Sequence, residues 1–239
     1  MYQFIEPFGH HVSGNTIGET WLSLVKAVID YGDTTYDEKR KRFSIQNVLY
    51  QIESYSLLDD LLDQYANKKN IDALIYLTFK GEKMYDFDVV PSFSPGAKSY
   101  YTRLKEGRMM EYVVKRLGSI PESKKGVMSF IQWSDYNAIL DTPHDDYLPC
   151  HTTIQFRLIE KAKRYQLNVI SHFRSIDAFQ KSCGDFVVTA MLAHEVARRL
   201  KAELGKPIVF GPMTGLITDA HIYGECMDDA RQIINKWQK

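Results

Sequence analysis

The sequence predicts a mixed α+β fold with antiparallel pairing. Three observations predict it: helix-like and strand-like segments alternate along the chain, a polar turn joins two strand-like runs in the second half, and a long amphipathic run follows them.

In chain order, Trp21, Leu22, Leu24, Val25, Val28 and Ile29 recur at helical spacing between Thr20 and Tyr31, and Gly32-Asp33 follows as a stop. Gln46 to Gln64 reads as a second long helix. Ala73 to Phe79 is rich in strand formers and ends at Lys80-Gly81, so a strand is expected there. Asp86 to Gly107 reads as irregular, Arg108 to Leu117 as a short helix ended by Gly118, and Gly126 to Trp133 as a strand. Thr152 to Ile159 and Gln166 to Phe173 read as paired strands, with Glu160 to Arg164 as the turn. Cys150 and Arg174 then sit at opposite ends of this hairpin. A helix is expected from about Asp185 to Leu204, closed by Gly205-Lys206-Pro207, then a strand from Leu216 to Tyr223 and a terminal helix.

The chain has 239 residues, enough for one sizeable core, and no stretch resembles a linker; one domain over 1–239 is expected. Thirty basic and thirty acidic residues cancel, which speaks against the broad positive surface that duplex nucleic acid attracts. Any phosphate it binds is expected to be small and locally held. Met1 to Pro7 lacks the basic and apolar pattern of a secretory leader, and no run approaches a membrane span, so a soluble, cytoplasmic protein is expected. Cys150, Cys183 and Cys226 form an odd set without CxxC spacing, which argues against a disulfide framework or a zinc site. His10-His11 and His144 with Asp145 and Asp146 lack a metal-ligand spacing, and no metal is assigned.

The chemistry centres on Cys150. A thiol becomes a strong nucleophile beside positive charge, and Arg174, brought across the strand pair, supplies a charge that is never lost to titration. His151 is poorly placed as its base, because neighbours on a strand point to opposite faces. Leu148-Pro149-Cys150-His151, Ile154-Gln155-Phe156, Arg174-Ser175-Ile176-Asp177 and Asp219-Ala220-His221-Ile222-Tyr223 together resemble, in order and approximate spacing, the motifs of the thymidylate synthase superfamily. The resemblance is specific from Cys150 to Tyr223. It implies a thymidylate synthase-like fold, a mixed, mainly antiparallel sheet with packed helices, and a sheet-mediated homodimer.

It also implies a mechanism and a set of roles. The Cys150 thiolate adds to carbon 6 of a pyrimidine nucleoside monophosphate, and carbon 5 becomes a nucleophile towards the methylene group of 5,10-methylenetetrahydrofolate. Arg174 and Ser175 hold the phosphate, with Asp177 in the same motif, and His221 and Tyr223 contact the sugar. Lys124 and Lys125, in Pro121 to Gly126, stand where the family has paired arginines that reach across the dimer to the phosphate; charge is kept and the forked geometry lost. Arg40 and Arg42 are candidates for an early phosphate-binding arginine, Glu53 for the glutamate that organises water, with Gln51 in a competing register, and Tyr100 for the family tyrosine near the nucleophile. The chain ends at Lys239 soon after the histidine and tyrosine motif, so folate is expected to bind without the extension that closes over it in longer synthases.

Eleven residues after Arg174, where thymidylate synthases carry asparagine, stands Asp185. An asparagine amide donates to uracil oxygen 4 and accepts from the ring N–H; a carboxylate accepts from the exocyclic amine of cytosine and, when protonated, donates to the ring nitrogen. The residue therefore favours cytosine. It resembles the cytidylate (dCMP/CMP) 5-hydroxymethylase branch, in which the exocyclic methylene is captured by water instead of hydride. Gly184-Asp185 also precedes a long helix, where aspartate is a favoured N-cap, and the two roles are compatible. The expected activity is hydroxymethylation of carbon 5 of a cytidylate, with dCMP slightly preferred to CMP. The alternatives are a thymidylate synthase on dUMP with a protonated Asp185, and a nucleotide-binding relative without turnover.

Overall fold

The computed structural model describes residues 1–5, 9–37, 40–85, 87, 97–141 and 147–239. Two short strands, β1 (Tyr2–Ile5) and β2 (Gly9–Gly14), lead into helix α1 (Ile17–Tyr31). The Thr16 side chain accepts from the Glu19 amide and caps α1, and Trp21, Leu22, Leu24, Val25 and Val28 are buried as their spacing predicts.

The next segment departs from expectation. Strands β3 (Asp33–Asp37) and β4 (Arg40–Ile52) pair as an antiparallel hairpin, and only α2 (Asp60–Tyr65) of the helix expected over Gln46 to Gln64 is helical. The reason is local: Asn47 adopts the left-handed region (φ 57) and interrupts the alternation of β4. Ile45 and Val48 are therefore both buried although three residues apart, a spacing that imitates a helix.

Ala73 to Phe79 is likewise not a strand but the end of α3 (Lys68–Phe79), capped by Asn67, whose side chain accepts from Lys69 N. Ala73, Leu74, Leu77 and Thr78 are buried at helical spacing, and this tertiary burial overrides the strand preference of Ile75 and Tyr76. The region expected to be irregular contains α4 (Tyr100–Glu106), started by Ser99, whose hydroxyl accepts from Thr102 N; most of Asp86 to Gly96 lies outside the described residues. Gly118 lies inside α5 (Met109–Ser119), not after it. The strand expected over Gly126 to Trp133 shortens to β5 (Val127–Ser129), because Asp135 accepts from Gln132 N at 2.8 Å and opens α6 (Trp133–Asp141).

The second half follows the sequence more closely. β6 (His151–Lys161) and β7 (Arg164–Phe173) form the expected hairpin, followed by the two-residue β8 (Ile176–Asp177). Helix α7 (Ser182–Leu204) starts before Asp185 and ends at Gly205, which is left-handed (φ 63). β9 (Ile208–Tyr223) begins well before Leu216, and α8 (Met227–Trp237) follows a 3-10 turn over Gly224–Cys226.

All described strands join one mixed sheet in the order β1-β2-β4-β9-β7-β6-β5, with β3 on β4 and β8 on β9. One face is the core: Tyr165, Leu167, Val169 and Phe173 of β7 are buried beneath the helices. The opposite face bears no described helix and carries Leu49, Ile170, Thr153, Gln155, His172 and Leu216 around a groove of about 520 Å³. None of the described helices is long and apolar enough to cross a membrane.

Candidate active site

The site forms where three strand ends meet. β9 pairs with β4 antiparallel (Arg42↔Tyr223, Ser44↔His221) and with β8 in parallel (Asp177↔His221), so its last residues are held from both sides. Beside them lies the open end of the β6–β7 hairpin, where His151 faces Phe173 and the Arg174 amide donates to the Cys150 carbonyl at 2.9 Å. Cys150 and Arg174 are therefore side by side at the open end, rather than at opposite ends as the sequence suggests.

Cys150, Arg174, Ser175, Asp177, Asp185, His221 and Tyr223 all line one cavity of about 120 Å³, together with Asp37, Ile176 and Lys181. A larger cavity of about 710 Å³ lies elsewhere, walled mainly by Leu57, Phe79, Leu104, Met110, Met191 and Leu192. Size is a poor guide here: no cysteine lines the larger cavity, and the residues of the sequence motifs line the smaller one.

Arg174 is committed to the loop that carries Cys150. Its Nε donates to the Pro149 carbonyl at 3.1 Å and Nη2 to the Leu148 carbonyl at 2.5 Å, with Nη2 3.9 Å from Cys150 Sγ. The guanidinium thus holds the loop and places positive charge beside the Cys150 thiol, an arrangement that favours a thiolate. Its local partner is not Asp177, whose Oδ1 accepts from the Phe179 and Gln180 amides at 3.0 and 2.9 Å and whose Oδ2 accepts from Gln180 Nε2 at 2.8 Å. Asp177 shapes the turn into α7.

Asp185 is not the N-cap. Its amide already donates to the Lys181 carbonyl at 2.9 Å, so it belongs to the first turn of α7, buried and aligned with the positive end of the helix dipole. Gly184 faces α3 at this point: a Cβ there would come within 2.5 Å of Leu74 Cδ1, so a larger residue would force the Leu74 side chain to move.

Behind Cys150 the support is aromatic and ionic. Tyr100 Oη accepts from the His151 amide at 3.1 Å, and burial above all pushes its pKa well above the ordinary range. Tyr147, which the motif reading passed over although it stands three residues before Cys150, lies with its ring 5.6 Å from the Arg103 guanidinium. Burial first, and Cys150 second, raise its pKa as well. Arg103 is itself buried, bonded to both oxygens of Asp135 at 2.7 and 2.8 Å and to the Phe130 carbonyl at 2.7 Å. Asp37 and Lys181 were also missed; only spatial pairing brings the first to the site, and helical spacing from Asp185 is the one signal for the second.

His151 points away from this chemistry. It is stacked on Phe173 at 4.1 Å between centroids, and burial, with His172 second, lowers its pKa to about 3. The unfolded chain, with a histidine near ~6.5, takes up this proton first. The site's contribution to stability is therefore complete above about pH 6.5 and is lost as pH falls towards 3. Between pH 6.5 and 5 the expected loss is about 2 kcal/mol. Urea unfolding across that window measures it, and His151→Phe is expected to flatten the slope.

The remaining candidates stay outside the cavity. Glu53 is exposed just past Ile52, which pairs with Met213, whereas the cavity lies at the Arg42↔Tyr223 end of the same strand pair, roughly 30 Å of extended chain away. The expected water-organising glutamate is thus not brought to Cys150; its side chain is bonded by Gln51 Nε2. Lys124 and Lys125 are exposed before β5, and the Lys124 carbonyl accepts from Gln155 Nε2 on the uncovered sheet face at 2.8 Å. Arg40 is exposed on β4, and Arg42 pairs with Asp219 at 3.3 Å. His144, Asp145 and Asp146 lie outside the described residues, and among the described residues no group of three His, Cys, Asp or Glu side chains could hold a metal ion.

No curated protein matches the sequence. A family model described as thymidylate synthase matches residues 97–239, more than half of the chain, and that span contains Tyr100, Cys150, Arg174, Asp185, His221 and Tyr223.

Proposed function

Because the chain belongs to the thymidylate synthase family, whose members transfer one carbon from methylenetetrahydrofolate to a pyrimidine nucleotide, we propose that it hydroxymethylates carbon 5 of a cytidylate, dCMP or CMP. The observation that carries the cytosine reading is Asp185, buried in the same cavity as Cys150. An ionised carboxylate offers acceptors only, which suits the exocyclic amine of cytosine and opposes oxygen 4 of uracil.

Cys150 loses its proton beside Arg174 and forms a bond from sulfur to carbon 6. The electron pair of the carbon 5–carbon 6 double bond moves to carbon 5, which becomes the nucleophile. Asp185 accepts from the amine and, when protonated, donates to the ring nitrogen as charge develops there. Ser175 and the Nη1 side of Arg174 meet the phosphate, while His221 and Tyr223 meet the sugar. Carbon 5, once it bears the transferred carbon, loses its proton as the exocyclic methylene forms; water adds to that methylene, and the carbon 5–carbon 6 double bond re-forms as the sulfur–carbon 6 bond breaks, restoring the thiolate and the aromatic ring.

Methylenetetrahydrofolate, when bound, supplies the one-carbon unit. A cavity of about 550 Å³ lined by Gln64, Asn67, Asn70, Phe179 and Gln180 shares no lining residue with the cavity of Cys150, so it is not assigned to this donor.

The proposed active form is a homodimer of this single catalytic domain. The uncovered sheet face, with Leu49 and Ile170 exposed, supports this, as does the position of Lys124 at its margin, from which Lys124 and Lys125 would reach the phosphate of a second copy. The cavity lining of one copy carries Arg174 and Lys181 against Asp37, Asp177 and Asp185, so a phosphate dianion needs such added cations.

Release of tritium from carbon 5 of dCMP, CMP and dUMP, measured side by side with methylenetetrahydrofolate, tests the reading. Preferential release from a cytidylate is expected. Preference for dUMP would make the chain a uridylate methylase, and nucleotide binding without any release would make it a binding relative.

A further inference from the structure

Two carboxylates stand behind the residues that would meet the sugar. Asp219 Oδ1 accepts from His221 Nδ1 at 3.1 Å and from Arg42 Nη1 at 3.3 Å. A carboxylate can only accept, so His221 carries a proton on Nδ1, and Nε2 of the neutral ring is then an acceptor. The Tyr223 hydroxyl donates to Asp37 Oδ2 at 3.2 Å, which leaves the tyrosine oxygen its lone pairs for a ligand. Asp37 also lines the cavity in its own right.

The same logic orients Ser175. Its Oγ lies 3.4 Å from His221 Nδ1 and accepts from that protonated nitrogen, so its own proton is directed elsewhere. The cavity is therefore polarised. Arg174 and Ser175 present donors, as a phosphate requires; beside them His221, Tyr223 and Asp37 present acceptors, as hydroxyl groups require.

We propose that Asp37, acting with Tyr223 and His221, selects ribose over 2′-deoxyribose by accepting from one hydroxyl of the 2′,3′-diol. This rests on the cytidylate reading and makes CMP the preferred substrate, in place of the slight preference for dCMP expected from the sequence, whose sugar motif does not discriminate the 2′ position. Deoxyribose brings one hydroxyl to three acceptor groups, and ribose brings two. Asp37 lies on β3, outside the span 97–239 that the family model matches. Because Asp37 is exposed at the cavity mouth, water competes for its oxygens, and a preference of about ten-fold is expected instead of the thousands that a fully enclosed acceptor would give.

Calorimetric titration with CMP, dCMP, UMP and dUMP tests this on the full chain and on Asp37→Ala, with the similarly sized Asp37→Leu, which offers no acceptor, in reserve should the alanine variant unfold. CMP is expected to bind about ten-fold more tightly than dCMP, and the ratio is expected to fall below about two-fold in either variant. Equal binding of CMP and dCMP, or a ribose preference that survives both substitutions, would overturn the inference. Base and sugar preferences are read separately: a missing cytosine over uracil preference would sink the cytidylate reading, whereas a missing ribose preference alone would sink only the role of Asp37.

Discussion

Cys150→Ala is expected to lower turnover by roughly 10⁴-fold or more while leaving the fold intact, because removal of a nucleophile eliminates the covalent route itself. The thiol is half-buried and sits on a loop that Arg174 fixes through the Leu148 and Pro149 carbonyls, so that loop keeps its anchors when sulfur is replaced by hydrogen. Nucleotide affinity is therefore expected to survive within a few-fold, and thermal unfolding to move little. The other thiols cannot take over. Cys183 and Cys226 are buried, and burial pushes the Cys183 thiol up to about 12. Tritium release from carbon 5 checks the loss. Residual turnover within ten-fold of the unaltered chain would show that sulfur addition is not the reacting step.

Asp185→Asn is expected to shift the ratio of cytidylate to uridylate by at least ~100-fold towards uridylate. The asparagine amide donates to oxygen 4 and accepts from the ring N–H, two hydrogen bonds that the carboxylate cannot make together. Asp185 lies in the first turn of α7 and is not its N-cap residue, so the two roles the position could have had are separable. Competition between dCMP and dUMP in the tritium assay measures the shift, and an unchanged ratio would remove Asp185 as the reader of the base.

The two halves of the chain differ in how much they disclose. Cys150, Arg174, Asp185, His221 and Tyr223 were legible because short motifs at characteristic spacing carry their chemistry, and the structure brings all five to one cavity. The amino-terminal half misled for physical reasons. A single left-handed Asn47 turned strand burial into a helix-like spacing, and packing of α3 on α7 overrode the strand preference of Ile75 and Tyr76. Glu53 was placed by motif analogy in a segment expected to be helical; as a strand, β4 carries it away from the cavity. Asp37 had no motif at all, and reaches the site only because β3 folds back on β4 beside Tyr223.

The central claim is that Cys150 bonds to carbon 6 of a cytosine nucleotide. Trapping measures this directly, because fluorine at carbon 5 cannot leave as a proton does and the covalent complex persists. The chain incubated with methylenetetrahydrofolate and the 5-fluoro derivatives of CMP, dCMP or dUMP, then digested and weighed by mass spectrometry, is predicted to carry nucleotide on the peptide containing Cys150 with the cytidylates. An unmodified Cys150 peptide, or an adduct formed with 5-fluoro-dUMP alone, would contradict it.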